Sequence, residues 1–214
     1  MSPPGAYTTV PDPVDKLQQP PAAWMQARLK LAAGNPLLDD SPSSALLIDR
    51  LDQAGRIDEA LCLAAYALPP REAVWWACMC ARHTKPAEPL AADVTAGEVA
   101  EAWVRSPGEP ARARAYRAAH QARFQSPESM AAMGAFWSGQ PDILRVPEDT
   151  ARGQVGRSVE NAVRMSAVRG PMPEQPARLR AFLQSARDIA RGGAGRLDTG
   201  AYPDRLTVAG QTEI

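Results

Sequence analysis

Large aliphatic side chains are scarce in this sequence. Leu, Ile, Val and Phe together hold 37 of 214 positions, fewer than the 40 held by Ala alone. A chain so short of β-branched and aromatic residues is a poor source of strands, whereas Ala is the strongest helix former. No stretch approaches roughly 18 uninterrupted apolar residues, which excludes a helical membrane span. Net charge is absent too: 24 Lys and Arg balance 24 Asp and Glu, so no overall field draws the chain to nucleic acid or an anionic membrane. Histidine occurs only at His83 and His120, and cysteine only at Cys62, Cys78 and Cys80. An odd number of cysteines, each inside an apolar helical stretch, points to reduced, buried thiols. The N-terminus shows no basic, apolar leader, so the expected location is the cytoplasm.

What is abundant, besides Ala, is punctuation. Twenty-one prolines and fifteen glycines require helices that are short and often interrupted. Residues 1–20 are Pro-rich and read as a flexible arm. A helix is expected over Pro21–Ala33, with Trp24, Ala27 and Leu31 on one face and Gly34 ending it. Ser41-Pro42 looks like a cap for a helix carrying Leu46, Leu47 and Leu51, and Asp58 a cap for the next, stopped by Pro69-Pro70. A helix from Pro70 to about Arg82 is apolar all round over AVWWACMCA, which places it at the middle of the core.

Thr95 with Glu98 forms an expected capping box, opening a helix with Val99, Ala102 and Trp103 inward. Ser106-Pro107 is expected to cap an Arg- and Ala-rich helix reaching about Phe124, and Ser126-Pro127 to start one with Met130, Met133 and Trp137 in an apolar stripe at i, i+3 and i+7. A Pro-containing loop over residues 138–149 is the best candidate for a subdomain break. Beyond it Val155, Val159 and Val163 recur at spacing four, and Leu179, Phe182, Leu183, Ala186, Ile189 and Ala190 trace the cleanest helical stripe. From residue 192 to 214 the chain reads as a flexible tail.

The expectation is therefore an all-α domain over residues 21–191, of about nine short helices packed as antiparallel helical hairpins. The segment AGRIDEALCLAAYALPP resembles the second half of a tetratricopeptide unit, but nothing repeats it at a fixed period, so the packing is loosely TPR-like and not a repeat array. Removing residues 1–20 and 193–214 is expected to leave the melting temperature nearly unchanged.

Chemistry is harder to find. Cys78 and Cys80 lie two apart, about 200° around a helix, and cannot share a metal; with His83 they supply too few ligands for zinc. There is no G-x-S-x-G elbow, no H-E-x-x-H and no glycine-rich phosphate loop after a strand. No catalytic, cofactor or metal residues are assigned. The first 110 residues carry 9 basic and 14 acidic side chains, and the remainder 15 and 10. The most basic element carries Arg112, Arg114, Arg117 and Arg123 with Tyr116 and His120 interleaved. Its arginines are scattered around the helix, which suits a solvated face or an anionic protein partner better than nucleic acid. Phe136 beside Trp137, at a helix end before the long loop, is the pair expected to reach a partner. The partner-binding candidates are Phe136, Trp137, Arg112 and Arg117.

Three segments, LPPREAVWWACMCAR, AEAWVRSP and AAMGAFWSG, together with a later AVRG and FLQSARDIARG, resemble a small uncharacterised bacterial family, a domain of unknown function. The resemblance spans about residues 40–192. It implies a gene neighbourhood near type VI secretion genes and carries over no activity or site residue. The reading that results is a non-enzymatic accessory, adaptor or chaperone-like, whose partner is a secretion effector or spike component. An immunity protein against a cognate toxin and a small helical enzyme or enzyme subunit are the alternatives. No cofactor, nucleic acid or membrane is expected, and the oligomeric state is open.

Overall fold

The computed structural model describes residues 15–20, 22–32, 34–40, 42–139 and 147–197, leaving aside the side chains of residues 22, 23, 25, 148 and 149. Within them the fold is all-helical, as the composition requires. Nine α-helices follow in order: α1 (Ala22–Arg28), α2 (Ser44–Gln53), α3 (Ile57–Ala67), α4 (Pro70–His83), α5 (Ala91–Arg105), α6 (Glu109–Gln121), α7 (Pro127–Trp137), α8 (Glu148–Ala167) and α9 (Gln175–Ala190).

The apolar helix α4 is central, because it has no polar face to give to solvent. It packs on α5, α7, α8 and α9, and Ala73, Val74, Trp76, Ala77, Cys78 and Cys80 are all buried. Trp76 is fully enclosed, and its indole N–H donates to the Phe182 carbonyl of α9 at 2.9 Å. Sequential pairs α2–α3, α5–α6, α6–α7 and α7–α8 pack closely, whereas α3–α4 and α8–α9 barely touch: α3 packs on α8 and α9, and α8 on α4 and α7. The helices on either side of the long loop, α7 and α8, make the most extensive contact of all. Residues 140–146 of that loop lie outside the described residues.

Small residues set the spacing of this core. The stripe expected on α7 was Met130, Met133 and Trp137, but those three are only half-buried, and Ala131, Ala132, Gly134 and Ala135 face inward. Close helix axes leave no room for long side chains at the centre of the contact and move them to its rim. A Cβ on Gly134 would stand 3.0 Å from Val74 Cγ2 and 3.4 Å from Val159 Cγ2, while one on Gly153 of α8 would meet nothing within 4 Å. Gly134→Val should therefore cost about 1–3 kcal/mol by overpacking. Gly153→Ala should stabilise by about 0.5–1 kcal/mol through helix propensity. Chemical denaturation of the two variants checks both signs.

The helix starts depart from expectation in several places. The α2 cap is Ser43, whose hydroxyl accepts from the Leu46 N–H, and not Ser41, which lies outside the described residues. Asp58 sits inside the first turn of α3, which Arg56 precedes without a side-chain cap. Helix α5 begins a turn before the expected Thr95–Glu98 box, so the Thr95 hydroxyl instead donates to the Ala91 carbonyl at 3.0 Å. Ser106 ends α5, and α6 starts from Gly108. Ser126 does cap α7, in a reciprocal box with Ser129. Helix α1 stops at Arg28, well short of Ala33, because Lys30 turns left-handed (φ 51°). That turn lets both Leu29 and Leu31, which would point apart on a helix, enter the core.

Arginine closes several of these helices. The Arg178 guanidinium donates to the carbonyl of Ala167, the last residue of α8, and to Pro171 in the loop that follows, and Arg71 donates to Val104 near the end of α5. Orphan carbonyls at helix ends are thereby satisfied.

Two segments counted with the chain ends lie against the core. The Lys16 N–H donates to Ala190, the Gln18 N–H to Ala67, and the Ser44 hydroxyl to the Gln18 carbonyl. After α9, Trp75 Nε1 donates to Ala194 at 2.8 Å and the Ser185 hydroxyl to Gly195 at 2.7 Å, while Asp188 accepts from the Gly195 N–H. The expectation of an unchanged melting temperature on removing these residues is accordingly replaced by the opposite one.

Candidate interaction surface

Helix α6 buries Ala111, Ala115, Ala118 and Ala119 and packs on both α5 and α7. With alanine filling the contact, the larger side chains of α6 are left on its flank. Arg112, Tyr116 and His120 are spaced four apart and so fall on one line along that flank. Tyr116 lies at the middle of a connected set of rings. Its centroid is 4.9 Å from Phe136 of α7, 6.4 Å from His120 and 6.4 Å from Phe124. His120 meets Phe124 edge-on at 5.8 Å, and Phe136 meets Trp137 at 5.2 Å. Separations and tilts of this kind are those aromatic pairs favour.

The turn after α6 is what brings Phe124 into this set. Arg123 and Phe124 are consecutive left-handed residues, at φ 55° and 56°, where glycine is the usual choice. The Phe124 N–H donates to Ala119 and the Arg123 N–H to His120, which hold the turn closed. Each left-handed non-glycine residue costs about 1–2 kcal/mol. The return is a ring folded back over the helix end, with Tyr116 and Phe124 still 42% and 38% exposed.

Charge on this flank is one-sided. Glu109, the acid of α6, is taken by Arg112, and Glu128, the acid of α7, holds Arg169 through bonds of 2.8 and 2.9 Å. Arg117 and Arg123 are exposed, and among the described residues no carboxylate pairs with them, while Arg114, two positions from Tyr116, falls on the other side of the helix.

Of the four residues singled out from the sequence, Phe136 is a half-buried member of the ring set and Arg117 an exposed cation beside it. Arg117 precedes His120 by three positions, the spacing of helix-surface neighbours. Arg112 is engaged within the molecule: it pairs with Glu109, and its guanidinium lies against Gly139 where a Cβ would stand. Trp137 touches Phe136 but faces a separate cleft of about 410 Å³ with Gln18, Pro70, Ala151 and Val155. Tyr116 and Phe124, two exposed rings of the set, were not among the four, since their meeting depends on a left-handed turn with no glycine to announce it.

The cysteines lie elsewhere. All three are free and buried, and among the described residues no group of three or more His, Cys, Asp or Glu could hold a metal. Burial, with the Glu160 carboxylate adding to it, pushes the Cys62 thiol from an ordinary value of 9.0 up to about 12. Burial also raises Cys78 and Cys80. Since only the thiolate is nucleophilic, a disulfide reagent should label none of the three natively and all three in denaturant. A raised folded-state value also favours the folded state only while the thiol stays protonated. Stability from Cys62 is thus complete below pH 9.0 and lost as pH rises toward about 12. In that window Cys62 contributes a slope of about 1.4 kcal/mol per pH unit. Melting curves at neutral and alkaline pH, with Cys62→Ala flattening the dependence, measure it.

The fold and this surface together define an all-helical protein with a preformed aromatic and arginine face. Residues 47–190 match DUF6931, a family of unknown function, and the chain belongs to that family. The match begins in α2 and ends with α9, so it contains α4 and the whole α6–α7 face. No curated protein and no solved structure matches the chain.

Proposed function

We propose that this protein is a non-enzymatic adaptor or chaperone-like accessory of a bacterial type VI secretion system, acting in the cytoplasm on an effector or spike component. The α6–α7 face carries the reading. It combines exposed, mutually braced rings with unpaired arginines, the residue types that anchor protein interfaces. The resemblance of the PREAVWWAC, EAWVR and AFWSG segments to a family encoded near secretion genes supplies the context. Co-expression with the product of a neighbouring effector or spike gene should yield a complex that survives size-exclusion chromatography and is lost in a Tyr116→Ala/Phe124→Gly variant of unchanged melting temperature. Separate elution of the two wild-type proteins, or a complex indifferent to the variant, would overturn the reading.

A further inference from the structure

The occupant of this face can be narrowed by its chemistry. The rings of Tyr116, Phe124 and Phe136 brace one another, so a partner meets a surface already ordered and loses little side-chain entropy in docking. Apolar area alone would accept many partners; the charge restricts them. Both acids on α6 and α7 are committed, Glu109 to Arg112 and Glu128 to Arg169, while Arg117 and Arg123 stand exposed on either side of His120 with no carboxylate among the described residues. Arginine binds a carboxylate through two parallel hydrogen bonds, an option unused here.

We infer that the face receives an acidic peptide segment of another protein, whose carboxylates pair with Arg117 and Arg123 while an aliphatic or aromatic side chain rests on the Tyr116–Phe124–Phe136 rings. The inference rests on the adaptor reading only in taking this face to be an interface. Nucleic acid fits less well. The chain is neutral overall, and the three unpaired arginines of this element, Arg114, Arg117 and Arg123, would neutralise about three phosphates where strong binders contact about 6–10. The left-handed turn supports the same conclusion. A glycine at position 124 would relieve the backbone yet remove the ring, so the phenylalanine is held against the local conformational preference.

The test is selection of a phage-displayed library of random short peptides on the full chain, followed by fluorescence anisotropy of the selected peptides. The expected peptides carry an excess of Asp and Glu around an apolar residue and bind more weakly as salt rises. They lose about tenfold or more in affinity to Phe124→Gly and to Arg117→Glu/Arg123→Glu, with melting temperatures unchanged for the arginine variant and equal or higher for Phe124→Gly. Peptides without acidic excess, or acidic peptides that bind both variants as well as the wild type, would overturn the inference. So would a labelled single-stranded oligonucleotide bound more tightly at the same residues, or self-association abolished by Phe124→Gly, which would assign the face to nucleic acid or to a second copy. A secretion-gene product released by Phe124→Gly but not by the arginine variant would sink the acidic chemistry and leave the adaptor reading standing. Acidic peptides selected as expected, with no such product captured on co-expression, would do the reverse.

Discussion

Trp76→Ala is expected to lose about 3–5 kcal/mol of stability, the range for emptying a buried aromatic site. Against a total of about 5–15 kcal/mol for a typical domain, that leaves the protein partly or wholly unfolded at room temperature. Trp76 is fully enclosed on α4, the helix that α5, α7, α8 and α9 all touch, so the cavity cannot collapse without moving several helices at once. Part of the loss has a separate cause: the indole N–H gives the Phe182 carbonyl a second hydrogen bond beyond the one it accepts within α9, and that bond goes with the ring. Trp76→Phe keeps most of the volume and should cost about 0.5–1.5 kcal/mol for the lost hydrogen bond. Trp75→Ala, next along the helix but only half-buried, should cost less than Trp76→Ala. Denaturant titrations followed by circular dichroism rank the three. A Trp76→Ala protein as stable as the wild type would mean that α4 is not the centre of the core.

A chain running from residue 21 to 192 should melt about 10 °C or more below one running from residue 15 to 197. The bonds lost include Lys16 to Ala190, Gln18 to Ala67, Ser44 to Gln18, Trp75 to Ala194, Ser185 to Gly195 and Gly195 to Asp188. Each contributes about 0.5–1.5 kcal/mol net, and in a chain of this size each kcal/mol moves the melting temperature by about 2–4 °C. Leu17 and Leu197 also leave the core surface, and the buried Ser185 hydroxyl loses its acceptor. Equal melting temperatures for the two chains would show that these segments rest on the core without holding it.

Helices were legible wherever a stripe of large apolar residues had to be buried. Phe182, Leu183, Ala186, Ile189 and Ala190 on α9 and the valines of α8 are inside as their spacing requires, and the uniformly apolar α4 is central. The α7 stripe was misread because hydrophobicity scales with size, whereas a close helix crossing selects Ala and Gly and sends Met130 and Met133 to the rim. Helix starts were misplaced where Ser-Pro or Thr-x-x-Glu patterns sat one turn from the real end: a cap is decided by the backbone angles of one residue, which neighbouring prolines only bias. On the candidate surface, the sequence pointed to Phe136 and Arg117 but could not show that Arg112 is spent on Glu109, nor that two left-handed residues fold Phe124 onto Tyr116. Those facts belong to tertiary packing and have no short-range signature.

The claim that matters most is that a secretion component docks on the α6–α7 face. Its direct measurement is site-specific photo-crosslinking in the native cells, with a photoreactive amino acid at position 116 and, as control, at the exposed Arg180 position of α9. The account predicts one dominant adduct from position 116, identified by mass spectrometry as a type VI effector or spike component, and none from position 180. No adduct at 116, or the same adducts from both positions, would contradict it.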